Sequence, residues 1–352
     1  MLATEPIGSI PRPAELIDGL QAAAAGQITQ DRLDELSDEA LRDTIQRFEA
    51  TGSPVITDGE QAKSSFVTYP LDGLGNLGPG GAVIPFADGH TRQLPALASG
   101  PFHYAQYADQ FLVRAQRYAT ASVKQAVIAV SALSLLYPAD GLADYPRERF
   151  IDDLVAEGTT DIRRCLDAGA HRVQIDFTEG RLALKLDPSG AQLADFLALN
   201  NRVLASFNAE ERQRIGVHTC PGGDQDSTHS ADVDYGGLLP GLFSLDVGSF
   251  YLQMASEPSR RDVLEIVRAN LPRATVFVGV TDPINPRIES PEEISEQIIE
   301  AAGFIPVAQL GTTDDCGFSP FGDDTSTSRD IAFAKISARV AGTALAALEL
   351  KA

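Results

Sequence analysis

Segments with the hydrophobic pattern of β-strands alternate with segments of helical periodicity along most of this 352-residue chain. Strand-like runs lie at 53–60, 123–130, 171–177, 214–220, 249–255, 275–282 and 305–318. Helical periodicity follows at 28–52, 145–169, 189–208, 259–271, 290–304 and 327–348. Because neighbouring parallel strands need a long crossover connection, this order predicts an α/β fold built on a parallel sheet.

A weaker strand candidate near 91–99 brings the number of predicted strands to eight, which is the number in a (β/α)8 TIM barrel. Such barrels often reach this length as one unit, so residues 1–352 are expected to form a single barrel domain. The stretch 70–101 is rich in glycine and proline, and it predicts an excursion with a hairpin rather than a linker between domains.

Charge and cysteine content restrict the partners of the chain. It carries 49 acidic against 28 basic residues, and a field of that sign repels nucleic acid and anionic lipid. No apolar run in the sequence approaches the roughly 20 residues that cross a bilayer, and the first residues lack the layout of a signal peptide. Three cysteines do not make a disulfide framework. We therefore expect a cytoplasmic protein, without nucleic-acid or membrane partners, whose thiols are reactive or bind metal.

Reactive side chains lie at or just beyond the C-terminal ends of six predicted strands. They are Asp58, Glu60, Asp176, His218, Cys220, Gln253, Asp282, Asp315 and Cys316. One acid after a strand is usually the N-cap of the next helix, but this explanation does not cover six strands. Since TIM barrels carry their active sites at this face, the sequence predicts a functional site there.

A metal site is one interpretation of this set. His218 and Cys220 are alternate residues of a strand, so both side chains can face the same side. With Cys316 they would supply one imidazole and two thiolates, which suits Zn²⁺ and leaves a fourth position for water or substrate. The alternative is a solvated loop that carries histidine and cysteine, because a His-x-Cys pair alone is weak evidence. Cys165 is expected to be a small buried residue, and His229 a surface loop residue.

Five segments form a recognisable series along the chain: IGSIPRP (7–13), ITDGEQ (56–61), VQIDFTEG (173–180), GVHTC (216–220) and DDCGF (314–318). In this order they resemble the catalytic barrel of cobalamin-independent methionine synthase. Each is short, but together they span almost the whole chain. In that family a zinc ion binds the thiol of homocysteine and makes it a nucleophile towards a methyl group. The resemblance implies a stand-alone, zinc-dependent methyltransferase of methionine biosynthesis.

The resemblance also assigns roles to individual residues. By motif, the zinc ligands would be His218, Cys220 and Cys316, and the residues that hold the carboxylate and amine of homocysteine would be Ile7, Gly8, Ser9, Glu60 and Asp176. This assignment agrees with the chemistry of the residues, because carboxylates pair with an ammonium and backbone N–H groups bind a carboxylate. Zinc would keep as thiolate a thiol that is otherwise mostly protonated at neutral pH.

The sequence departs from the family pattern in ways that bear on the methyl donor. Gln253 stands where the family has a glutamate zinc ligand, and it could offer only a neutral amide oxygen. The family's proton-donating histidine falls near 280–286, where Asp282 is the nearest acid. The chain has no tryptophan, on which folate-dependent members stack the pteridine. We expect Asp282 to take part in catalysis with Glu60 and Asp176, and the donor to differ from methyltetrahydrofolate polyglutamate.

Several alternatives stay open. The partners would be a small-molecule thiol and an alkyl donor, and the donor could be methylcobalamin on a corrinoid protein, a small methylated metabolite or a simple electrophile. A thiol–epoxide alkyltransferase or lyase of the same superfamily would use a similar zinc site. A non-catalytic zinc- or thiol-binding accessory protein is disfavoured because Glu60 and Asp176 are retained. The loop 221–235 is expected to form a lid.

Overall fold

Eight short parallel strands form the centre of the fold in the computed structural model, which describes residues 2–352. In chain order they are β1 (Ala3–Thr4), β2 (Val55–Ile56), β3 (Gln125–Ile128), β4 (Val173–Asp176), β5 (Ile215–Thr219), β6 (Ser249–Leu252), β7 (Thr275–Gly279) and β8 (Leu310–Thr313). Seven of them form one sheet in the order β1-β8-β7-β6-β5-β4-β3. The remaining strand, β2, pairs in parallel with Ser122–Val123, just before β3. Strands that follow each other in the chain are therefore neighbours from β2 to β8, as expected for helical crossovers.

Strands β1 and β2, at the two ends of the series, are linked through the segments that follow them. Among residues 2–352 no backbone ladder joins the two strands. Instead, the Ile10 N–H donates to the Gly59 carbonyl at 3.0 Å, and the Thr57 hydroxyl donates to the Gly8 carbonyl at 2.7 Å. These bonds bring the loops after β1 and β2 together at the C-terminal face of the sheet.

The predicted eighth strand near 91–99 was wrong. Thr91–Gln93 pairs antiparallel with Val83–Pro85 in a small hairpin outside the central sheet, which confirms the hairpin expected in the excursion. The eighth parallel strand is instead β1, whose two residues pair with β8. A strand of two paired residues is too short to produce the alternation on which a sequence-based assignment depends.

Helices supply the crossovers. They are α1 (Ala14–Ala24), α2 (Gln30–Ala50), α3 (Asp109–Gln116), α4 (Arg147–Asp167), α5 (Glu179–Leu186), α6 (Ala191–Leu204), α7 (Arg260–Ala269), α8 (Pro291–Ala302) and α9 (Arg329–Leu350), with shorter helices at Val130–Leu133, Ala209–Gln213 and Leu239–Leu242. All six predicted helices are confirmed, whereas α1, α3 and α5 were not predicted. At the start of α8, Ser290 and Glu293 form a capping box, each side chain accepting the other's backbone N–H.

The last helix, α9, is the one helix within residues 2–352 that is long and apolar enough to cross a membrane. Half of its most apolar window is buried inside the fold, and core helices of soluble proteins give the same signal. Its buried face also carries two cations with acidic partners. Lys335 Nζ lies 2.8 Å from a Glu289 carboxylate oxygen, and Arg339 Nε lies 3.1 Å from one of Asp314. These contacts are those of a helix packed within a protein core.

Candidate functional site

His218, Cys220 and Cys316 come together at the C-terminal ends of β5 and β8. Their ligand atoms all lie within 4.8 Å of one another. The two Sγ atoms are 3.1 Å apart, farther than the about 2.05 Å of a disulfide. The hydrogen bond between the two sulfurs lowers the pKa of Cys316 well below its usual range and raises that of Cys220.

The cluster fits a metal ion in its chemistry as well as in its spacing. Both ring nitrogens of His218 are buried without a hydrogen-bond partner in the described chain. A buried imidazole without partners is costly unless it binds an ion or a ligand. One imidazole and two sulfurs at this spacing match the tetrahedral preference of Zn²⁺, with bonds of about 2.0 Å to nitrogen and 2.3 Å to sulfur.

The turn after β5 holds Cys220 through a glycine whose backbone conformation and close packing disfavour any side chain. The Gly222 N–H donates to the Cys220 sulfur at 3.4 Å. Gly222 has φ +69°, and a Cβ there would lie 1.8 Å from the ring of His229. The prediction that His229 is a surface residue was wrong, because its ring is buried edge-on against Phe86. Burial lowers the pKa of His229 to about 4, so its ring is neutral at physiological pH.

A small cavity of about 20 Å³ adjoins this cluster. The residues predicted to bind an amino acid all line it, together with two of the predicted metal ligands: Ile7, Gly8, Ser9, Glu60, Asp176, His218 and Cys316. They come from the loops after β1, β2 and β8 and from the ends of β4 and β5. The fold therefore brings five distant sequence motifs to one place.

The loop after β1 contains two backbone N–H groups that have no hydrogen-bond acceptor in the described chain. Neither Gly8 nor Ser9 donates its N–H to any acceptor within residues 2–352. Their other polar groups hold the loop in place: the Gly8 carbonyl accepts from Thr57, and the Ser9 carbonyl and hydroxyl accept the N–H groups of Phe318 and Ser319. A fixed loop with two free N–H groups is suited to bind a carboxylate.

Asp176 is held by a chain of buried hydrogen bonds. Gln174 Nε2 donates to the Asp176 carboxylate at 2.7 Å and to the Ile7 carbonyl at 3.1 Å. The amide oxygen of Gln174 in turn accepts from Lys124 Nζ at 2.7 Å. Burial raises the pKa of Asp176, and the hydrogen bond from Gln174 lowers it in part. These hydrogen bonds fix the position of the carboxylate, and a nearby cation would stabilise its charged form.

Glu60 reaches the same cavity from the loop after β2, where its backbone has φ +57°. One of its carboxylate oxygens accepts from Lys63 Nζ at 3.1 Å, and both side chains are buried. Burial raises the pKa of Glu60 to about 7, with Lys63 acting to lower it and Asp176 to raise it further. Two buried carboxyl groups therefore line one cavity, with Lys63 paired to Glu60, and an additional cation would relieve their repulsion.

Gln253 lies next to the cluster, but its amide is already engaged. Its backbone N–H is 3.4 Å from the carbonyl of Thr219, the residue between His218 and Cys220. Its amide oxygen accepts from Arg181 at 2.8 Å, and its amide nitrogen donates to Ser256 at 2.9 Å. A metal ion would have to compete with Arg181 for that oxygen.

Asp282 lines a second, larger cavity, of about 240 Å³, which Cys316 also borders. Its carboxylate accepts the Ile284 N–H at 3.0 Å, and burial raises its pKa. Glu60 and Asp176 do not line this cavity. The structure therefore separates the predicted catalytic residues into two groups, on cavities that meet at Cys316.

The loop 221–235 is anchored rather than free. It contains a short hairpin, Gly223–Asp224 with Ser227–Thr228. Asp224 is buried, and Arg92 of the excursion donates to both of its carboxylate oxygens, at 2.5 and 3.0 Å. Arg92 also pairs with Asp323 at 2.9 Å, so three segments of the C-terminal face are joined by one side chain.

Sequence reasoning missed three cations that organise the site, of which Lys63 and Arg181 are buried and Arg92 is partly exposed. Lys63, Arg92 and Arg181 belong to no recognised metal or catalytic pattern, and their partners are mostly distant in sequence. Only Lys63, three residues after Glu60, had a neighbour whose charge could have suggested the pair.

Comparisons with known proteins agree on the family. Residues 2–330 match the model of the family described as cobalamin-independent synthase, catalytic domain. The chain is 23% identical over 356 residues to methionine synthase of Sulfurisphaera tokodaii, covering 100% of this chain and 94% of that protein. It is 24% identical over 323 residues to methionine synthase of Pyrococcus furiosus, covering 90% and 86%.

A solved structure shows the same fold. The B12-independent methionine synthase of a Shewanella species, in complex with selenomethionine, aligns with a TM-score of 0.77 at 19% identity and covers 100% of this chain and 99% of that chain. The resemblance found in the sequence is therefore confirmed over nearly the whole length. This chain belongs to the cobalamin-independent methionine synthase family, as a form of its catalytic domain.

Proposed function

We propose that this chain is a zinc-dependent methyltransferase that transfers a methyl group to the sulfur of homocysteine or a similar small thiol. One observation carries the proposal: His218, Cys220 and Cys316 adjoin a cavity lined by the Gly8–Ser9 loop, Glu60 and Asp176. A thiol-bearing amino acid could present its sulfur to the cluster and its carboxylate and ammonium to the other groups. The family match and the relatives named methionine synthase support this assignment.

Each part of the acceptor has a suitable partner in this arrangement. The free N–H groups of Gly8 and Ser9 would bind the carboxylate, and Glu60 and Asp176 would bind the ammonium. Zn²⁺, when held by His218 and the two cysteines, would keep the acceptor thiol deprotonated at neutral pH. Fixing both ends of the acceptor limits its rotation and holds the sulfur in place for in-line attack on a methyl carbon.

We infer that the methyl donor is not a folate polyglutamate. The larger cavity beside Cys316 is lined by several carboxylates, among them Asp226 and Asp282, and a polyanionic tail would meet like charge there. Arg181 is the one basic residue that lines it in the described chain, and its guanidinium already bonds to Gln253 and Glu257. A small methylated metabolite, or a methyl group carried by a corrinoid protein, remains a candidate donor.

Asp282 is proposed as the acid for the leaving group. Methyl transfer to a thiolate leaves the electron pair of the broken bond on the donor, and a poor leaving group then needs a proton. Burial raises the pKa of Asp282, which favours the protonated form that can donate a proton. A thiol–epoxide alkyltransferase would need the same acid, so this residue does not separate the two functions.

We also infer that residues 1–352 form one domain and that the parallel strands close into a (β/α)8 barrel. The bonds from Ile10 to Gly59 and from Thr57 to Gly8, which link the loops after β1 and β2, support this inference.

The test combines metal analysis with a donor panel. Protein purified without chelators is expected to contain about one zinc ion per chain, and adding homocysteine is expected to add one sulfur neighbour in the zinc X-ray absorption spectrum. The enzyme is then incubated with homocysteine and methylcobalamin, small sulfonium or ammonium methyl donors, methyltetrahydrofolate and its triglutamate, and methionine is measured by mass spectrometry.

The outcomes separate the alternatives. Methionine formed faster from a donor without polyglutamate supports the proposal. Opening of small epoxides by a thiol, without methionine from any donor, would assign the chain to thiol–epoxide transfer. Zinc and methionine binding without any turnover would identify an accessory protein, and absence of zinc after incubation with excess metal refutes the site.

A further inference from the structure

We propose that Arg181 keeps Gln253 from serving as a fourth protein ligand at the candidate metal site. The inference rests on the zinc site of the proposed function and concerns how many ligands the chain supplies to it. Gln253 is the candidate for the fourth ligand because it directly follows β6, whose last residue, Leu252, pairs with Thr219 of β5. It also lines the larger cavity together with Cys316.

Both ends of the Gln253 amide are committed to other partners. The oxygen accepts from Arg181 Nη1 at 2.8 Å, and the nitrogen donates to Ser256 Oγ at 2.9 Å. Ser256 Oγ donates onward to the Asp315 carboxylate at 2.7 Å, so the amide is one member of a longer chain. Because the guanidinium of Arg181 can only donate, it must face the amide oxygen of Gln253, and this fixes the orientation of the amide.

Arg181 itself cannot move away. Its side chain is 1% exposed, and its Nη2 donates to the backbone carbonyls of Val233 and Ala231 at 2.5 and 3.2 Å. Glu257 lies 3.3 Å from Nη1 and compensates part of the charge. The guanidinium also lies over the ring of Tyr235, at 4.8 Å from its centroid. A buried cation with this many fixed partners stays where the fold holds it.

The same cation would capture a glutamate placed at this position. A carboxylate at residue 253 would meet Arg181 at the distance of a charge-assisted hydrogen bond, in a buried site where such pairs are strong. Substituting Gln253 alone therefore changes the partner of Arg181 rather than the ligand set of the metal. The Arg181–Gln253 pair leaves the metal with three protein ligands, one neutral and two anionic, and hence with no net charge before substrate binds.

The test is a double-mutant cycle read as zinc affinity rather than activity. Wild type, Gln253→Glu, Arg181→Gln and the double variant are titrated with zinc in competition with a chromophoric chelator. Gln253→Glu alone is expected to change the zinc Kd less than threefold, whereas the double variant is expected to bind zinc at least tenfold more tightly than wild type. Zinc absorption spectra should show an additional oxygen neighbour only in the double variant.

A matched control removes a partly buried arginine at the opposite end of the strands. Arg212 lies just before β5 and pairs with Asp246 at 2.9 Å, so combining Arg212→Gln with Gln253→Glu should leave the zinc Kd at the value of Gln253→Glu alone.

Two results overturn the inference. In the first, Gln253→Glu alone gains an oxygen neighbour at zinc and binds zinc at least tenfold more tightly than wild type. This result can be obtained even where Arg181→Gln fails to fold. The other is a soluble double variant with the zinc Kd of Gln253→Glu. Wild-type protein that binds no zinc refutes both this inference and the proposed function, whereas the first two results leave the proposed function intact.

Discussion

Asp176 and His218 are paired residues in the register of the parallel strands β4 and β5. One lines the cavity as a candidate partner for an ammonium, and the other is a candidate metal ligand. A single strand pairing therefore sets the separation between the groups that would hold the two ends of the acceptor. A one-residue slip in that register would turn one of the two side chains away from the site.

Replacing Cys316 tests the metal cluster directly. Cys316→Ala removes one of two sulfurs, so zinc content is expected to fall well below one per chain and activity to be lost with it. Cys165→Ala is the matched control, because Cys165 is buried in α4 outside the cluster. Zinc is measured by inductively coupled plasma mass spectrometry, and full zinc occupancy in Cys316→Ala would exclude Cys316 as a ligand.

Asp176→Asn tests the ammonium site without touching the metal ligands. Losing a charge-assisted hydrogen bond costs roughly 1.5–3 kcal/mol, so the KM for the acceptor is expected to rise about 10- to 100-fold. Zinc content should stay at the wild-type value. The exposed Asp246, which pairs with Arg212, provides the control Asp246→Asn. An unchanged KM in Asp176→Asn would remove this residue from the binding site.

The pKa of Glu60 predicts a pH dependence of amino-acid binding. Because burial raises that pKa to about 7, Glu60 is mostly protonated at pH 6 in the free protein and must lose its proton to pair with an ammonium. The Kd of methionine, which has no thiol to titrate, is expected to fall about tenfold between pH 6 and pH 8. Calorimetry measures it, with Glu60→Gln expected to bind weakly at both pH values. Equal or weaker binding by wild type at pH 8 would contradict the prediction.

Glu179 predicts a pH dependence of stability. One carboxylate oxygen accepts from Ser131, the other has no partner in the described chain, and burial raises the pKa of Glu179 to about 8. Its folded-state pKa lies above its unfolded value of 4.5, so its contribution to stability is complete below pH 4.5 and is lost as the pH rises through 8.

The variant Glu179→Gln removes this titration. The free energy of unfolding of wild type minus that of the variant is expected to fall by roughly 2–3 kcal/mol from pH 5.5 to pH 8. Urea unfolding at the two pH values measures it, and the exposed Glu210→Gln serves as the control. A difference that does not change with pH would show that Glu179 does not titrate in this range.

Arg92→Gln tests how the C-terminal face is held together. It removes both ion pairs of Arg92 and leaves His90 as the remaining side chain that contacts the buried carboxylate of Asp224. We expect a loss of stability of roughly 1–3 kcal/mol and faster amide hydrogen exchange at 223–228. The exposed Arg32, paired with Glu35, offers the control Arg32→Gln. Unchanged exchange at 223–228 would mean that the hairpin is held by other contacts.

The sequence predicted the features that repeat along the chain and missed those that depend on one side chain meeting another. Alternating periodicity identified seven strands and the main helices, and short motifs located the candidate ligands. The two-residue strand β1 produced no periodicity, and the burial of His229 depends on the turn at Gly222. Likewise, the pairing of Gln253 with Arg181 joins residues 72 positions apart. Such contacts result from the packing of the whole fold, so no local sequence pattern predicts them.

The pairing of β1 with β8 has a consequence for when the site can form. Ala3 pairs with Gly311, so the loop that carries Gly8 and Ser9 is anchored by a strand about 300 residues later. Contacts of such sequence separation carry a high loop-closure entropy and form late in folding. During synthesis the acceptor site and the metal cluster would be completed together, by the same segment that brings in Cys316. The candidate metal cluster and the candidate acceptor site are therefore both complete only once this last segment is in place.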